Sequence, residues 1–108
     1  MTKQVETLAL INKPYLHQHL DVSTAHITLN DSKLLAIDAA GETGDGLVVY
    51  DYGYGWMVHV EDEAIERCRD DYSDAFKAIL VMARQLKCDF VDFDQDGEEY
   101  SELPVFDW

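Results

Sequence analysis

From Leu20 onward, Leu20, Val22 and Thr24 alternate with Asp21, Ser23 and Ala25. That period of two predicts a first strand ending near His26. Leu34, Leu35 and Ile37 then form an apolar stripe, with Thr28 or Asn30 available as N-cap, Asp31 in the first turn and Gly41 as the stop, which together predict a helix. With Asn30 as the cap, Leu29 and Leu34 would form a hydrophobic staple. Leu47 to Tyr52 and Trp56 to Val60 are β-rich runs on either side of Gly53-Tyr54-Gly55, a hairpin signal. The charged stretch from Glu61 to Tyr72 fits either a short helix or a loop.

The strongest pattern follows. Phe76, Ile79, Leu80, Ala83 and Leu86 fall at helical spacing behind Ser73, with Asp74 in the first turn and Arg84 and Lys87 near the end, a second helix with dipole-matched ends. Asp89 to Asp94 alternates again, a turn follows at Gly97, and an acidic tail closes with Leu103-Pro104-Val105-Phe106-Asp107-Trp108. Ahead of all this, Leu8 to Ile11 is a short apolar patch before Pro14, so residues 1–13 are expected to form a frayed or short helical arm. The order β-α-β-β-α-β predicts one α+β domain over residues 1–108, a two-layer sandwich of the ferredoxin-like, split βαβ kind with a short N-terminal arm.

Charge narrows the functions. The 108 residues carry 22 Asp plus Glu against 8 Lys plus Arg, a net charge of −14. The second half is the more acidic, with eight acids and no Lys or Arg from Asp89 to Trp108. Such a surface repels phosphate, so direct nucleic-acid binding is not expected. The longest apolar run, Ala78 to Ala83, is far below the ~18 residues that cross a bilayer. No charged start followed by an apolar block marks a secretory signal, so the expectation is a cytoplasmic protein that neither enters nor spans a membrane. Cys68 and Cys88 are read as free thiols. Cys88, following an apolar helix, should be packed, whereas Arg67 and Arg69 flanking Cys68 could lower its pKa.

Val22-Ser23-Thr24-Ala25-His26-Ile27-Thr28, Ala75-Phe76 leading through Ala83-Arg84 to Cys88-Asp89, Phe93-Asp94-Gln95-Asp96 and the closing Leu103 to Trp108 carry a likeness. Over about residues 20 to 108 the chain resembles a family of short acidic bacterial proteins of unknown function, met mainly on conjugative plasmids, integrated elements and phages. The resemblance implies a mobile-element accessory protein of the bacterial cytoplasm; it does not imply an enzyme.

Three constellations could carry chemistry. Asp92-Phe93-Asp94-Gln95-Asp96-Gly97 sets oxygens at positions one, three and five of a calcium loop and glycine at six. Position twelve is Leu103 where a bidentate Glu belongs, position eight is Glu99, and a strand leads in, so Asp92, Asp94 and Asp96 are metal candidates only if Glu98, Glu99 or Glu102 completes an irregular site. His17, His19 and Asp21 alternate, as ligands on one strand face would, with His26 nearby; surface histidines are the plainer reading. Tyr50, Tyr52, Tyr54 and Trp56 cluster at the hairpin, where exposed aromatics supply protein-binding hot spots.

The function expected is that of a non-enzymatic accessory or regulatory protein that binds an unidentified protein partner, with Tyr52, Tyr54, Trp56, Glu98, Glu99 and Glu102 as contact residues and no cofactor. A DNA mimic, with carboxylates imitating phosphates, is the first alternative. A calcium-binding or enzymatic module using Asp92, Asp94 and Asp96 is the second. For the tail, docking of Val105, Phe106 and Trp108 on the domain is expected, because a small core needs that area.

Overall fold

A computed structural model describes residues 16–41 and 46–108. The elements in chain order are β1 (His19–Ser23), a 3-10 turn (Thr24–His26), α1 (Leu29–Ala40), β2 (Val49–Asp51), β3 (Gly55–His59), α2 (Ala64–Arg67), α3 (Asp74–Gln85) and β4 (Phe90–Asp94). The expected order of strands and helices is present, with the undecided stretch resolved as the one-turn helix α2 between loops. The arm expected over residues 1–13 lies outside the described residues.

Local chemistry sets the helix ends. Thr28 is the cap of α1: its hydroxyl accepts the Asp31 N–H, and the Asp31 carboxylate accepts the Thr28 N–H, a capping box that excludes the Asn30 alternative. Gly41 closes α1 at φ 67°, a left-handed position suited to glycine. At α3, the Ser73 hydroxyl accepts the Phe76 N–H. Its far end is a Schellman motif, with Cys88 N–H on the Ala83 carbonyl and Lys87 N–H on the Arg84 carbonyl. Lys87 itself holds the left-handed position at φ 60°.

The sheet runs β1-β4-β3-β2, with β1 parallel to β4 and the other pairs antiparallel. Register sets Val22 beside Phe93 beside Trp56, and Leu20 beside Val91 beside Val58 beside Val49. This side meets the helices, where Leu35, Phe76, Ile79, Leu80 and Ala83 complete a buried cluster. Phe76 stacks on Phe93 and Tyr72 at ring separations of 5.3 and 4.1 Å. Alternation sends Asp21, Asp92, Met57 and Tyr50 to the opposite side.

Two buried carboxylates tie the helical layer together. Asp31 accepts the Ser73 N–H and hydroxyl at 2.8 and 2.6 Å, so one side chain caps α1 and anchors the cap of α3. Asp38 accepts from Arg69 and from the Tyr72 hydroxyl, both at 2.8 Å. Burial first, then the bond to Asp38, raises the Tyr72 pKa well above its usual value.

The two-layer sandwich is as expected, but the pairing inside its sheet is not that of a split βαβ. In that layout an antiparallel strand separates the parallel pair; here β1 and β4 are direct neighbours and β1 is the outer strand. After β4 the chain turns across the end of β1 and reaches its far edge, where the Glu98 carbonyl accepts the Ser23 N–H at 2.9 Å. The crossing is tight: a Cβ on Gly97 would lie 2.6 Å from the Val22 carbonyl carbon and oxygen. β1 also ends earlier than its alternation suggests, because the Ser23 hydroxyl accepts the Ala25 N–H and starts the 3-10 turn.

Candidate functional site

The end of the sheet holding the carboxyl ends of β1 and β4 is built from three segments far apart in sequence: the 3-10 turn, the β2–β3 turn and the C-terminal tail. The tail is docked, but through hydrogen bonds and the packing of Tyr100 and Leu103 and not by the burial expected of Val105 and Trp108, which stay exposed. His26 is fully buried. Its Nδ1 donates to the Pro104 carbonyl at 2.7 Å and its Nε2 accepts the Tyr100 N–H at 2.8 Å. A carbonyl on one side and an N–H on the other require a ring carrying its one proton on Nδ1. Phe106 N–H reaches the Ala25 carbonyl and Trp108 Nε1–H the Ile27 carbonyl, both at 2.8 Å. The Ser23 to Thr28 segment and the Leu103 to Trp108 segment are therefore each other's partner.

The β2–β3 turn approaches this tail. Gly53 N–H is held by the Asp51 carboxylate at 2.8 Å and the Tyr54 carbonyl accepts the Gln95 N–H at 3.0 Å. Tyr54 is 70% exposed and Trp108 51%. They share a cavity of about 360 Å³ with Trp56, Thr24, Asp51 and Gln95. A cleft of about 470 Å³ adjoins it, sharing Thr24, Gln95 and Trp108 and adding Asp96, Glu99 and Asp107 among its walls. Trp56 is the exception to the exposed hairpin, since it packs partly buried against the core. Its indole Nε1–H is shut off from solvent without an acceptor among the described residues.

Tyr52 is half-exposed and its hydroxyl donates to Asp94 at 3.0 Å. Burial, followed by that bond and the nearby charges of Asp94, Asp92 and Asp21, raises its pKa well above the usual value. Two of the three aspartates of the calcium-like stretch, Asp92 and Asp94, are engaged separately. Asp92 accepts from His19 Nδ1 at 2.9 Å, while Asp94 accepts the Asp96 N–H at 2.8 Å in a local turn. Among the described residues no group of three or more His, Cys, Asp or Glu side chains is placed to hold a metal ion. His17 and His19 gather instead with His59 around the Phe90 ring, at 5.7, 4.8 and 5.0 Å. Of the acids proposed for contact, Glu99 lines the cleft, Glu98 and Glu102 are exposed nearby, and the Glu98 main chain is tied to Asp21 and Ser23.

Cys88 is buried as expected. The arginines that could have lowered the Cys68 pKa do not: Arg67 pairs with Glu61 and Glu63, Arg69 with Asp38, and burial pushes the thiol up to about 11. The residues that sequence reasoning missed are His26, Thr24, Gln95 and Trp108 as walls or supports of one site. Only the proximity of the tail brings them together. No helix among the described residues is long and apolar enough to cross a membrane.

A family model described as the C-terminal domain of a family of unknown function (DUF5983) matches residues 19–108. Comparisons with curated proteins and with solved structures returned no match.

Proposed function

The chain belongs to the DUF5983 family of unknown function over residues 19–108, and we propose that it is a non-enzymatic accessory protein of a bacterial plasmid or phage that works by binding another protein. The observation that carries the binding reading is the aromatic end of the sheet: Tyr54 and Trp108, both more than half exposed, line one cavity, with Tyr50 and Tyr52 exposed on the same hairpin. Rigid aromatic side chains contribute large contact area at little entropic cost, which is why they dominate protein interfaces. The mobile-element setting is supported by the resemblance of the Ser23 to Thr28 and Leu103 to Trp108 segments to proteins of such elements, and a cytoplasmic site of action goes with it.

The test is affinity capture from extract of a bacterial host, quantified by mass spectrometry, with the wild type beside Tyr50→Ser/Tyr54→Ser. Both positions are exposed, and neither side chain makes a hydrogen bond among the described residues, so the variant should melt as the wild type does. A defined partner retained by the wild type and depleted at least tenfold on the variant is the expected result. Equal capture by both proteins refutes the aromatic end as the binding surface.

A further inference from the structure

β2 is an outer strand of the sheet, and two main-chain bonds to β3 fix which of its groups point away from that sheet. His59 N–H donates to the Val48 carbonyl at 2.9 Å and Tyr52 N–H to the Gly55 carbonyl at 3.2 Å. In the register that sets Tyr50 beside Met57, Val48, Tyr50 and Tyr52 therefore turn their main-chain groups inward to β3. Antiparallel ladders alternate, so Val49 and Asp51 turn theirs outward. The main-chain N–H and carbonyl of these two residues have no partner among the described residues. The opposite edge of the sheet is treated differently. There the Glu98 carbonyl accepts the Ser23 N–H and the Tyr100 hydroxyl donates to the Asp21 carbonyl. An open edge recruits a further strand unless Lys, Pro or a covering segment blunts it, and Leu47 to Tyr52 contains no Lys, Arg or Pro.

We infer that β2 pairs with β2 of a second copy of this chain, antiparallel about a two-fold axis at Tyr50, so that two four-stranded sheets run on as one with both helical layers on the same side. The order of residues along the strand selects that occupant. With Tyr50 opposite its own counterpart, Val49 of each copy meets Asp51 of the other, and every outward N–H of the two residues finds a carbonyl. On the open face Tyr50 then lies against Tyr50 and Val48 against Tyr52, all exposed in the single chain. Aromatic and β-branched pairs of this kind stabilise a sheet. Sliding the register so that Asp51 faces Asp51 would instead oppose two carboxylates. The contact uses the same strand on both copies, and the β1 edge is already covered, so assembly stops at two. The net charge of −14 per copy opposes the contact, and salt should relieve that opposition.

Sedimentation equilibrium of the purified chain, from about 10 to about 500 µM, should show a monomer–dimer equilibrium. Raising NaCl from about 0.05 to about 0.5 M should strengthen the dimer severalfold. Tyr50→Lys sets two ammonium groups against each other at the axis while making each chain less negative, and should weaken the dimer about tenfold. Circular dichroism of the dilute variant checks that it is folded. Tyr50→Cys tests the register independently. Directly opposed Cβ atoms there would lie about 4.5–5.5 Å apart, near disulfide geometry, so mild oxidation should link two chains, and a peptide map should place the link at position 50 and not at Cys68 or Cys88. Tyr52→Cys stands opposite Val48 and should link far more slowly. A monomer at every concentration overturns the inference and leaves the edge to a strand of another protein. A dimer that Tyr50→Lys leaves unchanged, or linkage at position 52 as fast as at 50, overturns it as well. Self-association is read on the purified chain alone, and Tyr54→Ser should dimerise as the wild type does, so a failure here is distinguishable from a failure of the protein-binding reading.

Discussion

Replacing His26 by Ala tests whether the imidazole holds the tail. In the wild type the ring is fully buried and joins two main-chain groups of the tail, the Pro104 carbonyl at 2.7 Å and the Tyr100 N–H at 2.8 Å. Both partners are near enough to the surface for water to recover part of the loss, so each bond is assigned about 1 kcal/mol, the lower part of the range for an orphaned polar group. The emptied ring volume adds about 1–2 kcal/mol. The expected loss of about 3 kcal/mol is a large share of the roughly 5–15 kcal/mol that holds a small domain together. Urea unfolding followed by far-UV circular dichroism reads the total. Tail release is read by the emission of Trp108 in a Trp56→Phe background, where it is the single tryptophan. The indole leaves its bond to the Ile27 carbonyl, so emission should shift to the red before the main transition. Deleting residues 103–108 should cost at least as much. A loss below about 0.5 kcal/mol, with unshifted Trp108 emission, refutes the role given to His26.

Lys87→Gly should stabilise by about 0.5–1 kcal/mol, because a side chain at φ 60° bears a left-handed penalty that glycine does not; an unchanged or lower urea midpoint contradicts this. Gly97→Ala should destabilise by about 2–3 kcal/mol, since its Cβ would meet main-chain atoms of Val22 and Ser23 at 2.6 to 2.8 Å and main chain yields poorly. A melting midpoint equal to that of the wild type would refute the tight crossing. Alkylation of Cys68, whose thiol is pushed up to about 11 by burial, should be slow near neutral pH and rise about tenfold per pH unit until that value is approached, because only the thiolate reacts. A rate that levels off near pH 8 to 9, as for an exposed cysteine, would contradict the raised value.

Features that depend on neighbours a few residues apart were legible in the sequence. The cap at Ser73 acts on Phe76, three positions on, and the apolar spacing of α3 repeats within each turn, so both are written in a short window. The alternation of β1 and β4 and the turn between β2 and β3 are equally local, and with them the naming of Tyr52, Tyr54 and Trp56. Where a local rule failed, a distant group had intervened: Arg69 beside Cys68 is drawn to Asp38, 31 positions away, and Trp56 packs against the core beside Phe93 of the neighbouring strand. Periodicity is blind to which strands pair, so the adjacency of β1 and β4, 71 positions apart in register, needed the fold. The same holds for the site. The Ser23 to Thr28 and Leu103 to Trp108 segments stand out in the sequence as separate motifs, but that His26 receives Pro104 and that Trp108 closes a cavity with Trp56 are contacts across 78 and 52 positions. Such contacts come from the packing of the whole chain around one core, which no short window of residues encodes.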